Sequence, residues 1–294
     1  MISKLIQRLL IITLFILITA SYCFSDNSPK RIVSLSPNLT QVIYALGDLD
    51  SVVGVTVYDE FPLEVVDLPK VGGWINPNYE AILALKPDLV VIMKDQDISF
   101  GDKLRELGLK TFTAKSNDSI SDILQSITDL GQMLGKEEQA QKLTGHIKTN
   151  LDQINEKNKN SSKKSVLLVV GRNPGSLEDI YVIGTNNYIN ELIELAGGEN
   201  IIKNERNALK ITKESIFSLN PEVIIEINHL KSDREAQILE IWKSLKQVDA
   251  VKNNQVYVLS SKVLLHPSQR IVEGAQILVD ILNPEIVEKY GNNN

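Results

Sequence analysis

Few side chains in this 294-residue chain have the type and spacing to carry chemistry. Three histidines stand at 146, 229 and 266, and Cys23 is the only cysteine. A metal centre needs several His, Cys or carboxylate ligands that converge, and no spacing here suggests one. There is no Gly-x-Ser-x-Gly elbow, no phosphate-cradling glycine loop and no His-Glu-x-x-His pair. Ser36, within Ser34-Leu-Ser-Pro, reads as a helix cap rather than a nucleophile. The pattern argues against the common hydrolases, nucleotide enzymes and metalloproteases, and no resident cofactor is expected.

What stands out instead is a pair of acids. The stretch Glu80-Ala-Ile-Leu-Ala-Leu-Lys-Pro-Asp-Leu-Val-Val-Ile92 aligns without a gap to Glu214-Ser-Ile-Phe-Ser-Leu-Asn-Pro-Glu-Val-Ile-Ile-Glu226. In both, a helix stops at a proline, an acid follows and an aliphatic strand begins. An acid in the first turn stabilises a helix by about 0.3–1 kcal/mol. That accounts for an acid at each start, but not for Glu at one register twice. The pair is therefore read as functional and the two stretches as an internal repeat.

The elements that position these residues alternate. Strand patterns run over Arg31 to Leu35, Val52 to Val57, Leu89 to Met93 and Thr111 to Ala114. Ser36-Pro37-Asn38 and Asn76-Pro77-Asn78 read as turns; Thr40 to Leu46, Tyr79 to Leu85 and the stretch around Leu104 to Leu107 read as helices. From 118 to 160 apolar residues recur at three and four, without a strand. The α/β pattern then restarts, with strands at Ser165 to Val170, Val223 to Ile227 and Gln255 to Leu259 and helices at Asn187 to Leu195, Lys213 to Leu219 and Arg270 to Leu282. The expected architecture is α/β, with two similar lobes of mostly parallel sheet joined by one long rigid helix. The lobes are placed at 30–117 and 163–290, with the helical segment at 118–160. Trp242 lies in an amphipathic stretch and reads as core.

The first 25 residues differ. Lys4 and Arg8 precede an apolar run from Leu9 to Ile18, then small and polar residues from Thr19 to Ser25. That is the order of a secretory signal peptide, and the run falls short of the about 20 residues that span a bilayer. Bulky Tyr22 makes Cys23 a poor lipidation site, so cleavage after Ala20 or Ser25 is expected and lipid anchoring is the disfavoured alternative. Cleavage after Ser25 removes Lys4 and Arg8 and takes the formal charge from −6 to −8. Acids and bases are interspersed, so nucleic acid is not an expected partner.

The segments Arg31-Ile-Val-Ser-Leu-Ser-Pro37, Val53-Gly-Val-Thr-Val-Tyr58, Val71-Gly-Gly-Trp74 and Leu85-Lys-Pro-Asp-Leu-Val90 resemble the Fe/B12 periplasmic-binding family. So do Leu195-Ala-Gly-Gly-Glu-Asn200 and Pro267-Ser-Gln-Arg-Ile271. The resemblance covers nearly the whole chain after the leader. It implies a monomeric, periplasmic solute receptor with ligand held between two lobes and passed to the permease dimer of an ABC importer. One surface Glu per lobe docks on the permease in that family, and Glu80 and Glu214 match those positions. Within the family the chain is most similar to the cobalamin receptors. That implies a corrinoid ligand, with a ferric siderophore or haem as the alternative. Tyr58 and Trp74 match aromatic cleft positions, and Arg270 falls in a Pro-x-x-Arg-like stretch. Pro37, Asn38, Tyr181 and His266 are further candidates for the cleft wall.

Overall fold

A computed structural model describes residues 28–228, 235–259 and 262–284. The expected leader with Cys23, and His229, lie outside the described residues. The first sheet is built from β1 (Ile32–Ser34), β2 (Val52–Gly54), β3 (Leu89–Met93) and β4 (Thr111–Ala114). Its order is β2-β1-β3-β4 and every pairing is parallel. A parallel sheet covered on both faces needs unbroken aliphatic runs, and all five residues of β3 are buried.

Helix α1 (Pro37–Ala45) starts one turn earlier than the sequence suggests. Ser36 and Pro37, read as a turn, are its N-cap and first residue. Proline there lacks a donor the helix would not use and presets φ. The Ser36 hydroxyl caps no backbone amide; it bonds the Asn38 side chain. Helix α2 (Tyr79–Ala84) is capped by Asn78, whose Oδ1 accepts the Ala81 N–H at 3.0 Å.

Helix α3 (Asp102–Glu106) leads into β4, and α4 (Ile120–Met133) packs against α5 (Glu137–Asn158). At about 1.5 Å per residue α5 extends roughly 33 Å, one domain diameter. The two helices meet at Gly131, where an added Cβ would lie 2.3 Å from that of Ala140. Only glycine allows that approach.

The second sheet contains β5 (Lys164–Gly171), β6 (Ile180–Ile183), β7 (Gly198–Asn200), β8 (Ala208–Ile211), β9 (Val223–Ile227) and β10 (Val256–Leu259). Its order is β10-β9-β5-β6-β8, with β7 pairing β5. β6 runs antiparallel to β5 and β8, so this lobe is mixed rather than a copy of the first. Helices α6 (Tyr188–Leu195), α7 (Lys213–Leu219), α8 (Glu235–Trp242) and α9 (Ile271–Leu282) complete it.

The repeat extends into backbone geometry. Lys86 and Asn220 hold the same place in the aligned stretches, and both take a positive φ, 48° and 47°, just before the proline. One apolar cluster runs through both lobes. It joins Ile32 and Val91 of the first sheet, Leu151 of α5, Leu168 and Ile225 of the second sheet and Leu278 of α9. Trp242 is fully buried in a separate cluster on the outer face of the second sheet.

Candidate functional site

Ligands of α/β sheets gather beyond the carboxyl ends of the strands. Here the segments leaving β1 and β10 meet across the lobes. Asn38 Nδ2 donates to the Pro267 carbonyl at 3.3 Å, and the Ser268 hydroxyl donates to Gln41 Oε1 at 2.7 Å. The Arg270 guanidinium lies 4.5 Å from the Phe61 ring centroid. These contacts join the two lobes beyond the carboxyl ends of β1 and β10.

On the first lobe the wall is built by three segments that Gln96 ties together. Its Nε2 donates to the Leu35 carbonyl at 2.8 Å and the Trp74 carbonyl at 2.9 Å, and its Oε1 accepts the Met93 N–H at 3.0 Å. Tyr58 is 50% exposed. Its ring lies over Gly73, where a Cβ would come within 3.3 Å of it. Trp74 follows, half-buried and packed on the shared core. Val57 and Phe61 add exposed apolar surface, and Phe61 meets Tyr44 edge to face at 5.9 Å.

The second lobe presents polar groups that are already paired. Arg270 makes three bonds of 2.7–3.1 Å to the Glu273 carboxylate. At the ends of β5 and β9, Arg172 Nε donates to Glu226 Oε2 at 3.0 Å, and Trp242 Nε1 donates to the same oxygen at 2.6 Å. Arg172 Nη1 also donates to the Ser176 carbonyl at 2.8 Å, which fixes the rim loop.

Tyr58 and Trp74 are thus brought together, and Asn38 and Arg270 both bridge the lobes. Pro37 and Asn38 are buried in the first turn of α1. His266 is half-buried on the segment before Pro267. Tyr181 is exposed on β6, opposite Gly171 at the carboxyl end of β5 and Lys210 of β8. Gln96, Phe61, Tyr44 and the Arg172–Glu226 pair are absent from the sequence-based candidates. Glu226 had a signal: it is a charge inside an aliphatic run, opposite Ile92 in the repeat.

Helices α2 and α7 precede the parallel strands β3 and β9 and return against them. Their N-termini therefore sit at the cleft-facing edge, and Glu80 and Glu214 are both exposed there. Glu214's own amide and the Thr212 hydroxyl hold its carboxyl below the usual range. Among the described residues no group of three or more His, Cys, Asp or Glu could hold a metal.

Residues 32–263 match the family model described as periplasmic binding protein. The chain belongs to that family. It is 33% identical over 263 residues to the uncharacterised ABC transporter substrate-binding lipoprotein YvrC of Bacillus subtilis, covering 87% of this chain and 81% of that protein. It is 31% identical over 264 residues to the high-affinity heme uptake system protein IsdE of Staphylococcus aureus, covering 85% and 87%. The vitamin B12 binding protein BtuF of Vibrio cholerae has the same fold, with a TM-score of 0.74 at 24% identity over 89% and 98% of the two chains. As a periplasmic binding protein of this kind, the chain is the substrate-binding component of an ABC transporter and not an enzyme. What such a protein carries is a transported ligand, bound outside the cytoplasmic membrane, rather than a cofactor.

Proposed function

We propose that the cleft captures a flat metal tetrapyrrole, a corrinoid first and haem second, for delivery to an importer permease. The supporting observation is the wall of Val57, Tyr58, Phe61 and Trp74 at the carboxyl edge of the first sheet. Aromatic faces suit a large flat ring through stacking and area burial. His266 is half-buried on the segment before Pro267, where the two lobes meet.

Charge orders the candidates. Arg270, where the lobes meet, is engaged by the Glu273 carboxylate, so its guanidinium is already neutralised. A ligand of low net charge fits that arrangement better than a ferric siderophore or the propionates of haem. The haem reading is carried by the heme-uptake relative at 31% identity. Glu80 and Glu214, one exposed acid per lobe at the cleft edge, suit docking on permease arginines, where paired charges set orientation and register.

Titration of the purified protein with cyanocobalamin, haemin and a ferric siderophore, read by calorimetry and visible spectra, tests the order. Micromolar or tighter cyanocobalamin binding is expected. Tight haemin binding with none for cyanocobalamin would reverse the first and second readings, and siderophore binding alone would overturn both.

A further inference from the structure

Between Val55 and Phe61 the usual burial rule is inverted. The polar residues Thr56 and Asp59 are buried at 0% and 2% exposure, while the apolar Val57, Tyr58 and Phe61 are exposed. Buried polar groups and exposed large apolar groups are the informative departures from a folded average. Here they alternate in one short loop, and the hydrogen bonds show how it is held.

Asp59 Oδ2 accepts the Thr56 N–H at 2.9 Å and the Thr56 hydroxyl at 2.6 Å. The Thr56 Oγ1 in turn accepts the Tyr58 N–H at 3.2 Å, and the Asp59 N–H closes the turn on the Thr56 carbonyl at 3.3 Å. Asp59 Oδ1 is buried without a hydrogen-bond partner. The nearby Thr40 hydroxyl is directed to Ser34 Oγ at 2.9 Å and the Ser36 carbonyl at 3.2 Å. A buried carboxylate with one unpaired oxygen is costly to keep. The bonds it does make all serve the backbone on either side of Tyr58.

We propose that Asp59 is the positioning residue of the cleft wall: it touches no ligand and presents Tyr58 to it through the Thr56 turn. Gly73 lies beneath the Tyr58 ring, which an added Cβ would approach to 3.3 Å. The proposal rests on Tyr58 contacting the ligand, so the test has an arm that needs no ligand.

The test compares Asp59→Ala, Asp59→Asn, Thr56→Val and Tyr58→Ala in the full chain. Hydrogen exchange is followed at the Thr56 and Tyr58 amides. Faster exchange there in Asp59→Ala, with helix α5 unchanged, is expected; unchanged exchange overturns the proposal whatever the ligand is. Affinity is then read with cyanocobalamin or haemin, whichever the wild type binds. Asp59→Ala is expected to weaken it about tenfold, and Asp59→Asn, which keeps an acceptor oxygen, by less than about threefold. In the Tyr58→Ala background Asp59→Ala should add less than about twofold, because both act through one side chain. Additive losses would overturn the positioning role. Thr56→Val supplies the same contrast if Asp59→Ala does not fold, with an intermediate loss expected. If neither compound binds the wild type, the ligand class fails, while the exchange result still decides the role of Asp59.

Discussion

Ile92 stands near the end of β3 in one lobe, and Glu226 occupies the matching place in β9 of the other. Ile92 is buried among Val90, Phe100 and Leu104. Glu226 is equally buried, but against Arg172 and Trp242. One alignment position thus holds an apolar plug in the first lobe and the hub of a charged network in the second. The consequence shows at the rim. The first lobe offers exposed Val57, Tyr58 and Phe61, whereas the second offers loops pinned by guanidiniums already paired. The first lobe thus carries an exposed apolar rim and the second a paired polar network.

The largest expected effect tests what the lobes share. Replacing Glu80 and Glu214 together with Ala should abolish ligand delivery in a transport assay while cleft affinity stays unchanged. Persisting transport would reduce both acids to helix-start residues. The next effect tests where the lobes differ. Glu226→Ala strands a buried Arg172 and should cost about 3–5 kcal/mol in denaturant unfolding, whereas joint replacement of Arg172 and Glu226 by apolar residues should cost far less. A similar loss in both variants would show that the network acts through packing alone.

The smallest effect is a pH slope. Burial raises the pKa of Asp59, an effect offset in part by the Thr56 hydroxyl and amide and the charge of Lys70. A raised carboxyl pKa contributes stability at low pH, and that contribution is lost as pH climbs from the unfolded value through the folded one. Glu214 is shifted the other way, so its modest, solvent-screened contribution is lost as pH falls. Asp59→Asn should flatten the decline above pH 4 in a stability profile, and an unchanged slope would mean that another group produces it.

Much of the frame was legible because parallel strands must be aliphatic throughout. β3, β5 and β9 announce themselves that way, and Pro87 and Pro221 mark where each helix must stop. β7 and β8 did not, since short strands with exposed Glu199 and Lys210 carry no continuous apolar run, and β6, though apolar, is only four residues long. Tyr58 and Trp74 entered as candidates from their motifs, whereas the ring that Arg270 packs against carried no sequence signal. Phe61 lies 209 positions before it in the chain, and only the fold brings the two together. Gln96 was equally silent, because a lone glutamine after a strand gives no hint that it will bond three segments.

The bond between Gln41 and Ser268 spans 227 positions of chain. Such a contact has very high sequence separation, and separation of that kind slows folding. During synthesis α1 must wait, with its polar face open, until the segment bearing Ser268 has emerged. The junction between the lobes can therefore be made only after residue 268 has emerged, and a half-made chain leaves Gln41 without this partner.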